Sequence, residues 1–272
     1  MREGAGTSAR RSRCLIFYTE FAIFEDIMTE GIHISLASEP VFHLWGIPIT
    51  DSLIFTWGAI AVLIFIGVLV GRNPKLVPSR LQGALETIFE TVLTYMTETL
   101  ESKELAKRYF PLITTIFLFI LGINILGFLP GVESIGFKEG AHFVPFLRHA
   151  NTDLNTTLAL AIIVFLVIEL SGIVMLGFLR YGSKFVTFKS FPMGLVVGVL
   201  ELIGNLARLV SFSFRLFGNI FAGHVLIIVI AFFVPYVLPV PIMLFEVFVG
   251  FLQAAIFSLL TLVFIKLAVA EP

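Results

Sequence analysis

The composition of this chain excludes an ordinary soluble domain and a nucleic-acid-binding protein. Of its 272 residues, 58% are hydrophobic and 14% are charged, with a formal net charge of −1 at pH 7, whereas a soluble domain carries roughly 25% charged residues. The lack of a basic excess argues against nucleic acid as a partner. The single cysteine, Cys14, excludes an intrachain disulfide and a multi-cysteine metal site. We therefore expect a polytopic membrane protein without a bound metal or cofactor.

The predicted elements begin with an N-terminal segment, residues 1–50, which we place on the outer side of the membrane. Its residues 1–27 contain an apolar stretch interrupted by acidic residues and lack the small-residue cleavage pattern of a signal peptide. Residues 51–272 are predicted to form a single membrane domain. The first span, 52–70, is long enough to cross the hydrocarbon core, which needs about 20 apolar residues.

Residues 80–108 combine apolar side chains at helical spacing with charged side chains that lie mostly on another face. This pattern predicts an amphipathic helix at the membrane surface or on a partner. Two further spans are predicted at 111–129 and 156–179, and a polar loop joins them.

The segment 191–233 is about twice as long as a membrane span requires. At 1.5 Å per residue it reaches about 60 Å, so it is either two helices or one helix that is steeply tilted in the membrane. No strong breaker divides it, which favours the tilted helix, and a proline-rich turn leads to a final helix at 241–270. We therefore predict an all-α fold of about five membrane helices plus one interfacial amphipathic helix. The last two membrane helices form a long, steeply tilted hairpin.

Basic residues predict the orientation, because loops on the inner side of a membrane carry an excess of lysine and arginine. With the N-terminus outside and the C-terminus inside, the inner loops contain Arg72, Lys75, Arg80, Lys103, Lys107, Arg108, Arg180, Lys184 and Lys189, and the outer loop contains only Lys138 and Arg148.

Arg215 is the most informative residue of the predicted hairpin. A guanidinium stays charged at physiological pH, and near the centre of a bilayer it costs at least ~2.5 kcal/mol. An intramembrane arginine therefore indicates a function and needs an anion as a partner. Glu201, Arg208 and Arg215 follow one another at intervals of seven residues and Asn219 lies four beyond, so these four residues share one helix face.

The final helix carries Glu246 and Gln253 on one face. In an antiparallel hairpin centred near Pro235, Gln253 is level with Arg215, and Glu246 is level with His224, which points away from the arginine face. Gln253 can then hydrogen-bond the guanidinium. The Glu246–His224 pair can relay protons, because both groups can titrate near neutrality.

Structural interpretations remain open for several of these residues. Intramembrane Ser211 and Gln253 also suit hydrogen bonds that join helices. Arg208 suits either an ion pair with Glu201 or a side chain that extends to the interface. Glu169 lies inside the third predicted span and suits either a buried neutral carboxyl or a functional group.

The stretch Arg215–Gly223, with Glu201 upstream and Leu252–Ala254 downstream, resembles subunit a of the F-type rotary ATP synthases. Other segments that are similar to this family are residues 40–48, 124–130 and 153–157, so the resemblance extends over about residues 30–270. It implies a membrane stator that faces the carboxylates of a rotating c-ring. It also implies b-type peripheral-stalk subunits, the rest of the ATP synthase and the lipid bilayer as partners.

The resemblance implies roles for the residues around the arginine. Arg215 corresponds to the arginine that separates an inlet half-channel from an exit half-channel. Gln253 corresponds to the glutamine that partners it, and Asn219 to a nearby asparagine. Ser211, in the same stretch, is included in the predicted site.

The half-channels are implied by other matches. Glu201 matches a carboxylate in the exit path on the inner side, whereas His224 and Glu246 match two outer-side positions. Many bacterial members have glutamate first and histidine second at these two positions, and this chain has the reverse order. Further residues that could line the access routes are Asp153, His149 and Glu169.

The chain contains no Gly-x-x-x-x-Gly-Lys-[Ser/Thr] loop for nucleotide phosphates, so we expect a non-catalytic subunit. The His–Glu pair favours protons over sodium ions, and a bacterial plasma membrane is favoured over an organellar inner membrane. The alternative function is a secondary ion transporter that uses an intramembrane Arg/Glu/His cluster. A transporter would predict internal repeats and broken helices, and neither is visible in the sequence.

Overall fold

A computed structural model describes residues 38, 40–44, 47–72, 79–129, 132, 136–139, 142–145, 147–183, 193–234 and 237–269. These residues belong to one compact unit. The predictions made for residues 1–27 lie outside the described residues.

The described residues form seven helices, two short hairpins and one 3₁₀ turn. The helices are α1 (Asp51–Gly71), α2 (Arg80–Leu100), α3 (Lys103–Gly127), α4 (Leu154–Leu176), α5 (Phe178–Ser183), α6 (Met193–Phe233) and α7 (Pro239–Val269). The antiparallel hairpins pair β1 (Pro40–Leu44) with β2 (Ile47–Thr50) and β3 (Gly136–Glu139) with β4 (His142–Pro145), and the 3₁₀ turn is Ala150–Thr152. The predicted all-α class is confirmed, although the sequence did not predict the two hairpins.

Five helices of the described residues, α1, α3, α4, α6 and α7, are long and apolar enough to cross a membrane. This agrees with the five predicted membrane helices. Helix α1 is apolar on all sides and exposes Ile64 and Phe65, which suits a helix that faces lipid.

Helix α6 is one continuous helix of 41 residues, which confirms the preferred interpretation of the long segment. At 1.5 Å per residue it is about 60 Å long, so it must tilt to keep its apolar residues inside a hydrocarbon core of about 30 Å. Helix α7 begins at Pro239, in agreement with the preference of proline for the first turn of a helix.

The boundary between the predicted interfacial helix and the second span differs from the structure. Helix α2 ends at Leu100, Glu101 adopts a left-handed conformation with φ of 54°, and the Ser102 side chain caps α3 by accepting from the Leu105 N–H. Residues 103–108 include four charged side chains but continue into the membrane helix, with Pro111 inside it. The charge pattern placed the end of the amphipathic helix too late in the sequence, because α3 begins with charged residues before its apolar part.

Helix α7 lies at the centre of the fold and packs against α2, α3, α4 and α6. The α6–α7 contact is aromatic in part: the Phe212 ring lies 4.8 Å from Phe257 and 5.6 Å from Phe264, between centroids. At the end of α7, the Lys266 ammonium pairs with the Glu101 carboxylate at 2.8 Å. This packing fixes the polar faces of the last two helices relative to each other.

Candidate functional site in the helical hairpin

Arg215 lies in the middle of α6 and is half-buried. Its Nη2 atom donates to Ser211 Oγ at 3.3 Å, one turn earlier on the same helix. Among the described residues, no carboxylate forms an ion pair with this guanidinium. The positive charge is therefore not neutralised by any part of the chain that the structure describes.

Gln253 hydrogen-bonds Asn219 instead of Arg215. Asn219 Nδ2 donates to Gln253 Oε1 at 2.7 Å, which differs from the predicted contact with the guanidinium. The predicted depth of Gln253 along α6 is correct to about one turn. Asn219, which lies one turn beyond Arg215 on the same face, donates to the Gln253 amide oxygen in place of the guanidinium. Gln253 is only 2% exposed, and its Nε2 atom has no hydrogen-bond partner in the described part of the chain.

Glu246 lies against α6 at the level of Gly223, next to His224, in agreement with the predicted level. Its carboxylate packs so close to the Gly223 Cα that a Cβ atom there would overlap with it. Glu246 is 5% exposed, and its Oε2 atom has no hydrogen-bond partner among the described residues. A buried carboxylate oxygen without a partner is costly in a structural role, which suits a group that exchanges protons.

Arg208 and Glu201 form an ion pair on the first half of α6. The Arg208 Nη2 atom lies 3.9 Å from Glu201 Oε1, and the Arg208 guanidinium lies 4.8 Å from the centre of the Phe264 ring. Of the two interpretations left open by the sequence, the ion pair is the observed one. In contrast to Arg215, this arginine is neutralised within the chain.

Glu169, near the end of α4, accepts two hydrogen bonds. Tyr181 Oη donates to Oε2 at 2.7 Å, and Asn205 Nδ2 donates to Oε1 at 3.3 Å. Burial, followed by the hydrogen bond to Glu169, raises the pKa of Tyr181 above its ordinary value. The tyrosine therefore stays protonated and remains a donor.

His149 is 1% exposed and lies beside the end of α3. Its ring stacks on Phe55, contacts Phe128 and packs against Gly127, and its Nδ1 atom accepts from the Asn151 N–H at 3.2 Å. Burial, followed by the charge of His224, lowers the pKa of His149 to about 3. The ring is therefore neutral at physiological pH.

Asp153 caps the N-terminus of α4. Its Oδ1 atom accepts from the Asn155 N–H at 2.9 Å, and its Oδ2 atom accepts from Ser38 and Ser52, each at 2.9 Å. Three donors hold this carboxylate and connect the start of α1 to the start of α4.

Asn124 and Asn151 form a buried amide bridge that sequence reasoning did not include in the site. Asn151 Nδ2 donates to Asn124 Oδ1 at 2.6 Å, and Asn124 Nδ2 donates to the Gly250 carbonyl at 2.9 Å. Gly250 lies between Glu246 and Gln253 on α7, so the bridge fixes both side chains relative to α3. An asparagine inside an apolar span was the available signal, because a buried amide needs partners.

Next to the two arginines, α6 carries three small residues, Gly204, Ala207 and Ser211, that line a cavity together with larger side chains. A cavity of about 270 Å³ is lined by Gly204, Ala207, Arg208, Ser211, Phe212, Arg215, Leu260 and Phe264. Beyond it, Gly218 also faces open space, with no atom within 4 Å of the position that a Cβ would occupy.

Fold and site together define a class: a polytopic membrane protein whose last two helices hold fixed and titratable charges inside the bilayer. Such charges mark ion and proton pathways in membrane proteins.

Comparison with known proteins identifies the family. The family described as ATP synthase A chain matches residues 53–266. ATP synthase subunit a of Moorella thermoacetica is 34% identical over 226 residues, covering 83% of this chain and 93% of that protein. ATP synthase subunit a 3 of Pelobacter propionicus is 36% identical over 225 residues, covering 81% and 88%.

A subunit from Campylobacter jejuni subsp. doylei is similar at 35% identity over 221 residues, covering 79% of this chain and 89% of that protein. The chain belongs to the F-type ATP synthase subunit a family. It is a multi-pass membrane protein of the membrane sector of that complex, with a role in ATP synthesis and proton transport.

Proposed function

We propose that this chain is the non-catalytic stator that guides protons to and from the carboxylates of a rotating c-ring, with Arg215 between an inlet and an exit half-channel. One observation carries the proposal: Arg215 has no carboxylate partner among the described residues, whereas Arg208 has one. A guanidinium inside a membrane needs an anion, and a carboxylate on another subunit supplies it.

The surface around Arg215 supports a partner helix at this position. Ser211 and Asn219 are exposed, and Gly218 leaves open space beside them. Small side chains allow the backbone of another helix to approach closely. The passing carboxylate thus reaches the guanidinium without displacing bulky groups.

The fixed charge of Arg215 gives the motor two properties. It favours the ionised form of a c-ring carboxylate that stands opposite to it. It also repels protons that would otherwise pass directly from one half-channel to the other, because a guanidinium does not lose its charge. Asn219 and Gln253 hold each other beside it and keep the polar face of α7 in register with α6.

The two half-channels use the remaining polar residues. His224 and Glu246 form the outer-side inlet, and Glu201 belongs to the inner-side exit. The histidine and carboxyl groups suit protons. The N-terminus lies outside and the C-terminus inside a bacterial plasma membrane, and b-type stalk subunits hold the chain still. Helices α6 and α7 run without a break in the described residues, which does not favour the broken helices of a secondary transporter.

The test is ATP-driven proton pumping in inverted vesicles that contain the whole complex with Arg215→Ala. We expect an assembled complex in which ATP hydrolysis no longer acidifies the vesicles. Arg208→Ala is the matched control, because it removes an arginine from the same face and is expected to keep coupled pumping. Normal coupled pumping by assembled Arg215→Ala would refute the mechanism.

A further inference from the structure

Glu169 is a membrane carboxyl to which the proposed function assigns no step. It lies on α4, about two turns before the end of that helix at Leu176, and contacts α5 and α6 through two hydrogen bonds. Both of its oxygens accept, one from Tyr181 and one from Asn205. No arginine or lysine of the described residues forms an ion pair with it.

The two partners of Glu169 suit both protonation states of the carboxyl. A tyrosine hydroxyl donates to a carboxylate, and the same oxygen accepts from a carboxylic acid. A carboxamide likewise carries a donor and an acceptor, and exchange of its two ends is a small rotation. The buried Asn205 Oδ1 atom has no hydrogen-bond partner among the described residues, so an acceptor is already available beside Glu169. The ionised carboxyl is thus held by two donors, and the protonated carboxyl has an acceptor within the same pair of side chains.

The cluster lies next to the Glu201–Arg208 pair. Asn205 is four residues beyond Glu201 on α6, so the two side chains lie on the same face, one turn apart. Tyr181 interacts electrostatically with Glu201 and Arg208 as well as with Glu169. Its ring packs against Gly172, where a Cβ atom would overlap with it, and this contact fixes the hydroxyl toward the carboxyl.

Other charged groups lie near this end of α4. On α5, Arg180 is next to Tyr181 in the sequence and is exposed. On α3, the Arg108 guanidinium contacts Met175 Sδ at 3.4 Å, beyond Glu169 along the helix. On α7, Lys266 is paired with Glu101. Glu246, the other charged residue of α7, lies toward the opposite end of the hairpin, against Gly223.

We propose that Glu169, held by Tyr181 and Asn205, is a second proton site on the exit side, next to Glu201. This inference rests on the proposed function and adds a site to it. A proton that arrives at Glu201 is passed to the Glu169 carboxylate, which becomes a neutral acid while the Glu201 carboxylate is restored. Release of that proton to the inner aqueous phase regenerates the Glu169 carboxylate. Tyr181 keeps its own proton and only changes from donor to acceptor.

The experiment measures pumping by the whole complex in inverted vesicles while the pH of the external medium, which faces the exit side, is varied. We expect Glu169→Gln to lose one titration from the pH profile of the pumping rate. Tyr181→Phe keeps the carboxyl and removes a donor to its ionised form, so it should also change the pH profile of pumping. Ser171→Ala is the matched control, since within the described part of the chain its hydroxyl bonds only the Val167 carbonyl of its own helix.

The outcomes separate a proton site from a structural contact. A merely structural role would lower the amount of assembled complex in both variants and leave the pH profile of the remaining activity unchanged. Profiles of Glu169→Gln and Tyr181→Phe that superimpose on that of the wild type overturn the proposal. If Glu169→Gln does not assemble, Tyr181→Phe and Glu169→Asp still report on the titration. A different result would contradict the proposed function itself, namely normal coupled pumping by the assembled Arg215→Ala complex.

Discussion

Each half of α6 contains an arginine, and the two arginines differ in whether a carboxylate of the chain pairs with them. In the first half, Arg208 is paired with Glu201 at 3.9 Å and lies over Phe264. In the second half, Arg215 hydrogen-bonds the Ser211 hydroxyl and forms no ion pair among the described residues, and the Glu246 carboxylate of α7 has one oxygen without a hydrogen-bond partner there. The first half is neutralised within the chain, and the second half is not.

Under the proposed function, this difference separates a charge that is paired within the chain from a charge that meets a carboxylate of another subunit. Moving an arginine to the membrane centre costs at least ~2.5 kcal/mol. The pair with Glu201 offsets part of this cost for Arg208 whenever the Glu201 carboxyl is ionised. Under the proposed function, an arginine without such a pair is stabilised when another subunit brings a carboxylate, so its environment changes as that subunit moves.

The largest effect is expected from giving Arg215 an intrachain partner. Ser211→Glu places a carboxylate one turn away, within reach of the guanidinium, and converts Arg215 to the situation of Arg208. We expect coupled pumping to fall on the order of a hundredfold, which corresponds to about 2.7 kcal/mol. The measurement is ATP-driven acidification of inverted vesicles.

Ser211→Gln is the control for this substitution, because it adds a similar volume without a charge. Its pumping rate should stay well above that of Ser211→Glu. Equal rates in the two variants would show that volume, and not neutralisation of the arginine, determines the loss.

A smaller effect is expected from moving the unpartnered carboxylate. Gly223→Ala puts a methyl group where the Glu246 carboxylate now lies, and overpacking of this kind costs about 1–3 kcal/mol. We expect roughly tenfold slower pumping, since 1.4 kcal/mol corresponds to a factor of ten. Gly67→Ala on α1 is the control, because no atom lies within 4 Å of that Cβ position. Unchanged pumping by Gly223→Ala would argue that the position of Glu246 is not critical.

A still smaller effect is expected from breaking the Glu201–Arg208 ion pair in the first half of α6. A double-mutant cycle with Glu201→Gln and Arg208→Met isolates it, and polar contacts between groups inside membranes average about 0.6 kcal/mol. We expect a coupling energy of this size in the unfolding of the complex in detergent, with the double variant more stable than the sum of the two single changes predicts. A coupling energy of zero would mean that the two charges do not stabilise each other.

The smallest effect is expected at the exposed Lys266–Glu101 pair. The hydrogen bond from Lys266, followed by its charge, lowers the pKa of Glu101 below 4.5. The folded protein therefore holds this proton less tightly than the unfolded chain, and the stabilisation is present above pH 4.5 and lost as the pH falls through the lowered pKa. Lys266→Met should reduce the thermal midpoint slightly at pH 7 and not in strong acid.

The control for that pair is Lys107→Met, which removes an exposed lysine without an ion pair among the described residues. It should change the midpoint less than Lys266→Met at pH 7. A deficit of Lys266→Met that persists below pH 3 would assign the effect to the aliphatic part of the side chain.

Much of the fold was predictable because membrane helices are specified by local properties. Apolar length predicted five spans, and the absence of a breaker predicted that α6 is continuous. Helical periodicity put Glu246 at the level of Gly223 and His224, because depth in a hairpin depends only on the rise per residue and the position of the turn. The cost of a buried guanidinium identified Arg215 without any knowledge of its neighbours.

The contacts between side chains could not be predicted in this way. Asn219 and Arg215 lie on the same face one turn apart. Which of them hydrogen-bonds Gln253 depends on the lengths and rotamers of the side chains, and the helical period does not specify these. The bridge from Asn151 through Asn124 to Gly250 joins three separate elements, so no local pattern reveals it. Likewise, α2 ends at Leu100 and the Ser102 cap begins α3, so the charged residues 103–108 belong to the membrane helix and not to the amphipathic one.

The neutral ring of His149 determines how the packing around it responds to acid. With a pKa of about 3, set first by burial and then by the charge of His224, this histidine stays neutral in moderately acidic solution. Phe55 and Phe128 therefore pack against an uncharged ring over that pH range. The packing at the end of α3 does not gain a buried charge when the solution becomes moderately acidic.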